Sequence, residues 1–213
     1  AIRCDNATYE IRWFSPLTEM DFCGHATLAV AFVLFQENRA LNEVSFIAKA
    51  VGRLKVRQLE DGYIEMIFPN KKPKKVDSIP SELIKGLSIT PLDVLVNQQT
   101  YFVVYPNEED VYNIQVDFDE IKKLGPLDVT VTAQSNKYDF ISRFFSANGG
   151  IEDPVTGSMH TGLAPLWKER LHKNNLVAYQ ASARGGILKC KVSDEQVVVL
   201  GQAVQYLEGT INI

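Results

Sequence analysis

The 213-residue sequence has no run of about 18 apolar residues, so it predicts no membrane-spanning helix. Its three cysteines, Cys4, Cys23 and Cys190, are too few for a disulfide framework and form no Cys-x-x-Cys metal motif. It also lacks an excess of basic residues, because 22 basic and 26 acidic side chains leave a net charge of −4. That balance disfavours a nucleic-acid-binding protein. A composition of 46% hydrophobic and 23% charged residues is typical of a globular protein, and reduced thiols fit a cytoplasmic location.

An internal repeat organises the chain. The segments Ile11–Pro16 and Ser142–Ala147 both combine an arginine, two aromatic residues and a serine, and they lie 131 residues apart. A glycine motif follows each of them, Cys23–Thr27 in the first copy and Val155–Ser158 in the second. A mostly apolar stretch comes next in both copies. Agreement of order and spacing along the whole unit predicts two equivalent halves.

Matching strand patterns complete each copy. The segments Phe46–Val56 and Tyr179–Cys190 align, and each then turns, at Glu60–Gly62 or Ser193–Glu195, into a further strand. We therefore predict an α/β (α+β) fold with two pseudo-symmetric halves, each a sheet around one central helix. The halves are residues 1–80 and 81–213, joined near residues 70–98, where a short helix over 81–87 is expected.

The central helices are predicted over residues 24–35 and 157–170. Residues 26–35 carry no charge on any face, which indicates a helix covered by the sheet of its own half. In the second copy about 45 residues lie between a strand beginning at Tyr101 and the end of the arginine–aromatic strand. In the first copy only 11 residues precede Arg12. The comparison leads us to expect an N-terminally incomplete first half.

Both glycine motifs precede a predicted helix start, where free N–H groups and the helix dipole bind anions. Gly24 and Gly157 would let a ligand approach the backbone closely. The expected ligand is a small molecule that carries a carboxylate. Helix capping is the better explanation of either motif alone, but two motifs at matching repeat positions favour a binding site.

Polar side chains beside these motifs are the candidates for catalysis. His25 can transfer protons near neutral pH, and Asp153 precedes Pro154, where it could instead accept hydrogen bonds within a turn. Ser158 either contacts the ligand or donates to the helix backbone. The remaining polar residues carry weaker expectations: Glu152 faces solvent, His160 either lines the site or has a structural role, and His172 lies on the surface. The three histidines show no metal-ligand spacing.

The motifs Cys23–Thr27, preceded by Trp13–Pro16, and Glu152–Ser158 resemble those of the phenazine-biosynthesis PhzF-like family. This family is part of the diaminopimelate-epimerase-like superfamily, and the likeness covers essentially the whole chain. The resemblance implies a sheet curled around a central helix in each half and an active site between the halves. It implies isomerase chemistry in biosynthetic metabolism on a small carboxylate substrate, with no metal or organic cofactor, in a cytoplasmic homodimer.

Carried over by motif, the family's catalytic positions fall on His25 and Asp153. Its substrate-binding positions fall on Gly24, Gly157 and Ser158. The family's main acid–base group is a glutamate in a segment of the Ser-Glu-Thr-Ala type, one strand before the arginine–aromatic strand. No such segment occurs in this sequence. It would fall in the part that the repeat predicts to be missing.

Two other functions remain open. The chain could be a non-catalytic small-molecule binder on the same fold. It could also be a cysteine-dependent amino-acid racemase or epimerase, which needs a thiol on each side of the reacting carbon. Cys23 stands in the first motif, but the second motif has no thiol and Cys190 belongs to a strand. We expect Cys23 to be a small buried apolar residue.

Overall fold

The computed structural model describes residues 1–14 and 18–210. Ser15 and Pro16 of the first repeat motif lie outside these residues. The chain divides into two compact units, Ala1–Ile67 with Leu200–Ile213, and Phe68–Val199. The predicted halves were defined by the sequence repeat, whereas these units are defined by compactness. The predicted division at residue 80 therefore stays a prediction.

The first unit combines a mixed sheet with one long helix. Its elements are β1 Ile2–Arg3, β2 Thr8–Glu10, β3 Trp13–Phe14, β4 Glu19–Met20, α1 Gly24–Glu37, β5 Glu43–Ala48, β6 Gly52–Gln58 and β7 Ile64–Pro69. The sheet order is β1-β2-β5-β6-β7, with β2 and β5 parallel and the other pairs antiparallel, and β3 pairs with β4 separately.

Helix α1 forms where it was predicted, but it is not buried on all sides as expected. Its buried positions, Gly24, Thr27, Ala31 and Phe35, recur every three or four residues and define a single face. Val33 on another face is 47% exposed. The uncharged sequence was misleading because apolar residues also contribute much of an ordinary protein surface.

The second unit contains a larger sheet with helices on both faces. Its elements are β8 Lys74–Lys75, α2 Ser81–Gly86, β9 Asp93–Val96, β10 Thr100–Val104, α3 Glu108–Asn113, α4 Phe118–Ile121, β11 Asp128–Gln134, β12 Phe140–Ser146, β13 Ile151–Asp153, α5 His160–Leu171, β14 Asn175–Gln180, β15 Gly186–Val192 and β16 Gln196–Gly201. The sheet order is β16-β15-β14-β12-β11-β10-β9-β8, and β13 pairs with β12.

The predicted repeat is present in the topology. In the first unit β2 leads into α1, which returns the chain to β5 parallel to β2, and the β5–β6 hairpin follows. In the second unit β12 leads into α5, which returns it to β14 parallel to β12, and the β14–β15 hairpin follows. The short helix expected near residue 81 is α2.

Helix α5 is the buried centre of the second unit, since all residues from His160 to Trp167 are buried. Pro165 has no N–H to donate to the carbonyl of Thr161, and the backbone N–H of Lys71 donates to that carbonyl instead, at 3.0 Å. The Trp167 Nε1–H donates to Thr132 Oγ1 at 2.9 Å, and the Trp167 ring stacks on Phe140. Hydrogen bonds and aromatic packing therefore fix the helix in one orientation.

The opposite face of this sheet carries a second hydrophobic cluster, formed with α2, α3 and α4. Its largest members include Tyr105, Ile121 and Phe145. The Tyr105 hydroxyl donates to the Ile89 carbonyl at 2.9 Å, which satisfies the polar end of a buried ring. Within the described residues no helix is long and apolar enough to cross a membrane.

Gly162 tests how tightly α5 packs. A Cβ at this position would lie 2.3 Å from Phe102 Cζ and 2.9 Å from Asn97 Nδ2. We expect Gly162→Ala to lower the free energy of unfolding by about 1–2 kcal/mol, because overpacking outweighs the better helix propensity of alanine. Urea denaturation measures the change. Gly157→Ala is the matched control, since its Cβ meets nothing within 4 Å; equal stability of the two variants would contradict the packing described here.

Candidate active site

The first glycine motif forms the N-terminus of α1. Cys23 has an extended backbone at the N-cap, and its side chain makes no capping hydrogen bond. The Cys23 carbonyl accepts from the N–H and the hydroxyl of Thr27, at 3.0 and 2.8 Å. The Trp13 Nε1–H in turn donates to Thr27 Oγ1 at 3.1 Å. Strand β3, which carries Trp13, thus anchors the start of α1 through Thr27.

The side chains of Cys23 and His25 meet at this helix start. Cys23 Sγ lies 3.4 Å from His25 Nε2, and His25 is exposed. The expectation that Cys23 is a buried apolar residue is wrong, because its side chain is half-buried and contacts an imidazole. His25 is accessible at the position where the sequence predicts a proton-transfer group.

The second glycine motif forms the approach to α5. Strand β13 ends at Asp153, and successive 3₁₀-type hydrogen bonds join the N–H groups of residues 160–162 to the carbonyls of residues 157–159. Helix α5 therefore begins at His160, three residues later than predicted. Gly157 is buried, yet a Cβ there would meet nothing within 4 Å. The space next to its backbone can receive a ligand atom.

Asp153 is held by its own turn. It is half-buried, and the Thr156 hydroxyl donates to Asp153 Oδ2. The fully buried Gln180 side chain spans the same turn: its Nε2–H donates to the Asp153 carbonyl at 2.7 Å and its Oε1 accepts from the Thr156 N–H at 2.6 Å. Sequence reasoning missed Gln180, although a glutamine that continues the strand pattern from Tyr179 was a visible signal.

Glu152 has a different environment from the one expected. It forms a bidentate ion pair with Arg143, at 2.8 and 2.9 Å, and its side chain is only 24% exposed. Arg143 Nη1 also donates to the Ile114 carbonyl at 3.2 Å. The expectation that Glu152 faces solvent is therefore wrong: its partner lies on the neighbouring strand β12, and the pair fastens β13 to the sheet.

A second carboxylate, Asp128, was not singled out from the sequence. Its Oδ1 accepts from the Ala147 N–H at 2.9 Å. Burial raises the pKa of Asp128, and the negative charge of Asp153 adds a smaller increase. Asp128 therefore lies close enough to Asp153 for the charge of Asp153 to act on it.

His160 has a structural position within the second motif. It is completely buried, and its Nδ1–H donates to the Thr156 carbonyl at 2.9 Å. Its Nε2 is buried without a hydrogen-bond partner among the described residues. Burial lowers the pKa of His160 to about 4, so the imidazole is neutral near pH 7. His172, by contrast, is exposed, as predicted. It is the C-cap of α5 and has a left-handed backbone conformation.

The low pKa of His160 makes stability depend on pH. Unfolding returns the imidazole to water, where its pKa is about 6.5, so between pH 6.5 and 4 the unfolded chain binds a proton that the folded chain does not. The contribution is fully present above pH 6.5 and falls as pH decreases towards 4, by about 3 kcal/mol in total. We expect His160→Asn, whose amide can replace the Nδ1–H donor, to remove this slope in urea denaturation.

His172→Asn is the control for that experiment, because it makes the same replacement at an exposed histidine. An unchanged slope in His160→Asn would show that His160 is not the titrating group.

The candidate residues fall into two sets. Gly24 and His25 stand together at the start of α1, and Asp153, Gly157 and Ser158 stand together before α5. The predicted convergence of the two sets stays a prediction. Over residues 1–14 and 18–210, no group of three His, Cys, Asp or Glu side chains could hold a metal ion.

Comparison with known proteins identifies the family. A family model described as "Phenazine biosynthesis-like protein" matches residues 2–209. An uncharacterized isomerase of Pseudomonas aeruginosa is 43% identical over 206 residues, 96% of this chain and 78% of the relative. One of Halalkalibacterium halodurans is 42% identical over 208 residues, 95% of this chain and 78% of the relative.

A solved structure gives the same result. The crystal structure of a PhzF family protein from Enterococcus faecalis matches with a TM-score of 0.89 and 38% identity, over 96% of this chain and 78% of that one. This likeness confirms the mixed α/β fold and the resemblance seen in the motifs. The chain belongs to the phenazine biosynthesis-like protein family.

Proposed function

We propose that the protein is an isomerase that moves a proton between carbons of a small carboxylate-bearing metabolite, by acid–base catalysis without a cofactor, in biosynthetic metabolism. The observation that carries the proposal is the arrangement before α5. Open space lies beside the Gly157 backbone, four residues after a carboxylate that its own turn holds in place. One motif would thus supply both an anion site and a proton-transfer group.

The chemistry requires these two functions together. Removal of a proton from carbon leaves negative charge on the substrate, and preorganised N–H donors at a helix N-terminus stabilise it. The same proton, or one from solvent, then returns to another carbon, so the product is an isomer and nothing is oxidised or lost. Asp153 would orient the substrate or carry the proton, and His25 would donate a hydrogen bond or relay the proton. Ser158 and the backbone at Gly24 and Gly157 would hold the carboxylate.

Solvent exchange tests this function across a range of candidate substrates. The natural protein is incubated in D₂O with a panel of 2-amino, 2-hydroxy and unsaturated cyclic carboxylates, and loss of C–H signals is followed by ¹H NMR. We expect exchange with at least one compound, and Asp153→Asn and His25→Ala should each slow it by about 10²–10⁴-fold. Melting temperatures should change little, because His25 is exposed and asparagine can still accept from Thr156.

His172→Ala serves as the surface control and should exchange at the wild-type rate. Wild-type rates in both the Asp153 and the His25 variants would refute the proposed site.

The two alternative functions give other results. A non-catalytic binder would exchange no compound, yet benzoate would still shift the amide signals of Gly24 and Gly157. A cysteine-dependent racemase would lose activity in Cys23→Ser and keep it in Asp153→Asn. Its second thiol is difficult to supply, because Cys190 is fully buried on β15 and burial raises its pKa to about 12.

We also propose a cytoplasmic homodimer, which rests on the family resemblance alone. Light scattering coupled to size-exclusion chromatography of the natural protein should give twice the mass of one chain. A monomer mass that does not change with concentration would contradict this assembly.

A further inference from the structure

We propose that Gln180 is a positioning residue for Asp153, acting through Thr156 to fix the orientation of the carboxylate. This inference rests on the proposed function, because it assigns Gln180 a role in the reaction that Asp153 serves. Gln180 would not touch the substrate.

All the polar capacity of the Gln180 side chain is directed at one turn. The side chain is fully buried, at 0% exposure. Its Oε1 accepts from the Thr156 N–H at 2.6 Å, and its Nε2 donates both to the Asp153 carbonyl, at 2.7 Å, and to Thr156 Oγ1, at 3.3 Å. A single amide therefore holds both ends of the turn from Asp153 to Thr156.

These hydrogen bonds run in one direction. Because Gln180 Nε2–H donates to Thr156 Oγ1, the Thr156 hydroxyl accepts from the amide and directs its own proton to Asp153 Oδ2. A hydroxyl has one proton, so this arrangement fixes it as a donor to the carboxylate. Gln180 thus determines both where the carboxylate lies and which hydrogen bond its Oδ2 receives.

The corresponding hairpin of the first unit has no amide at this position. Gln180 is the last residue of β14 and pairs with Gly186 across the hairpin. In the first unit the last residue of β5 is Ala48, which pairs with Gly52 in the same way. Both residues are buried. The same hairpin is therefore built with a methyl group in one unit and with an amide in the unit that carries Asp153.

The neighbouring loop supports the same turn. Ser182 Oγ donates to the Pro154 carbonyl at 2.8 Å. A Cβ on Gly186 would lie 2.4 Å from Val155 Cγ2, so the hairpin and the turn approach as closely as glycine allows. The loop between β14 and β15 also has five residues, compared with three between β5 and β6. Its extra length provides Ser182 and brings the loop to the turn.

The test separates positioning from a merely structural role. Gln180→Met keeps the approximate volume and removes the amide. We expect kcat for C–H exchange, with the best compound of the panel, to fall by about 10- to 100-fold while KM changes less than about threefold, because the reacting group is misplaced and the substrate contacts remain. Hydrogen exchange should show loss of protection at the Thr156 amide.

Tyr105→Phe is the matched control. It removes another buried hydroxyl of the second unit, which donates to the Ile89 carbonyl and belongs to the hydrophobic cluster on the sheet face opposite α5. We expect it to lower the melting temperature and to leave kcat unchanged. An equal loss of kcat in Tyr105→Phe and Gln180→Met would show that general destabilisation is the cause, and the proposal would fail.

A second pair of variants covers the case in which Gln180→Met does not fold. Thr156→Val removes the hydroxyl that links Gln180 to Asp153, whereas Thr156→Ser retains it and should recover most of the kcat that Thr156→Val loses. Equal kcat in these two variants, or wild-type kcat in Gln180→Met, would overturn the positioning role while Asp153→Asn still tests the proposed function separately. If the wild-type protein exchanges no panel compound, both proposals fail.

Discussion

The packing of helix α5 inside the second unit is the constraint on which the candidate site depends. Gly162 allows the helix to approach Phe102, and Trp167 reaches Thr132. A buried helix cannot leave backbone groups without partners, and the carbonyl freed by Pro165 receives the Lys71 N–H. With the helix axis fixed in this way, its first turn has a fixed position, and the backbone around Gly157 is presented at a defined place.

The burial of α5 also determines the electrostatics of the second motif. A protonated imidazole inside the unit would place a positive charge directly below the turn. Burial instead keeps His160 neutral near pH 7, and its Nδ1–H serves to hold the Thr156 carbonyl. At the proposed anion site, attraction would then come from oriented backbone dipoles, whose strength does not change with pH.

The sequence predicted the parts of the fold that have local patterns. The hairpins, the two long helices and the repeat were evident from turns, apolar stretches and spacing, and the structure confirms them. Helices α3 and α4 were missed because six and four residues are too few to show a helical period, whereas the equally short α2 was recognised from its Pro80-Ser81 start. The partners of Glu152 and Asp153 were missed for another reason. Arg143 lies nine residues from Glu152 and Gln180 lies 27 residues from Asp153, so sheet topology and not spacing brings them together.

The differences between the two repeats bear on chemistry more than their similarity does. Both units place a glycine motif before a long helix, which gives each a set of backbone donors. Beside those donors the first unit has an exposed histidine in contact with a thiol, whereas the second has a carboxylate fixed by a hydroxyl and an amide. A symmetric pair of acid–base groups suits removal and return of a proton at one carbon. In the proposed function the two groups would differ in exposure and restraint, which suits a transfer whose two ends differ, as in moving a proton from one carbon of a molecule to another.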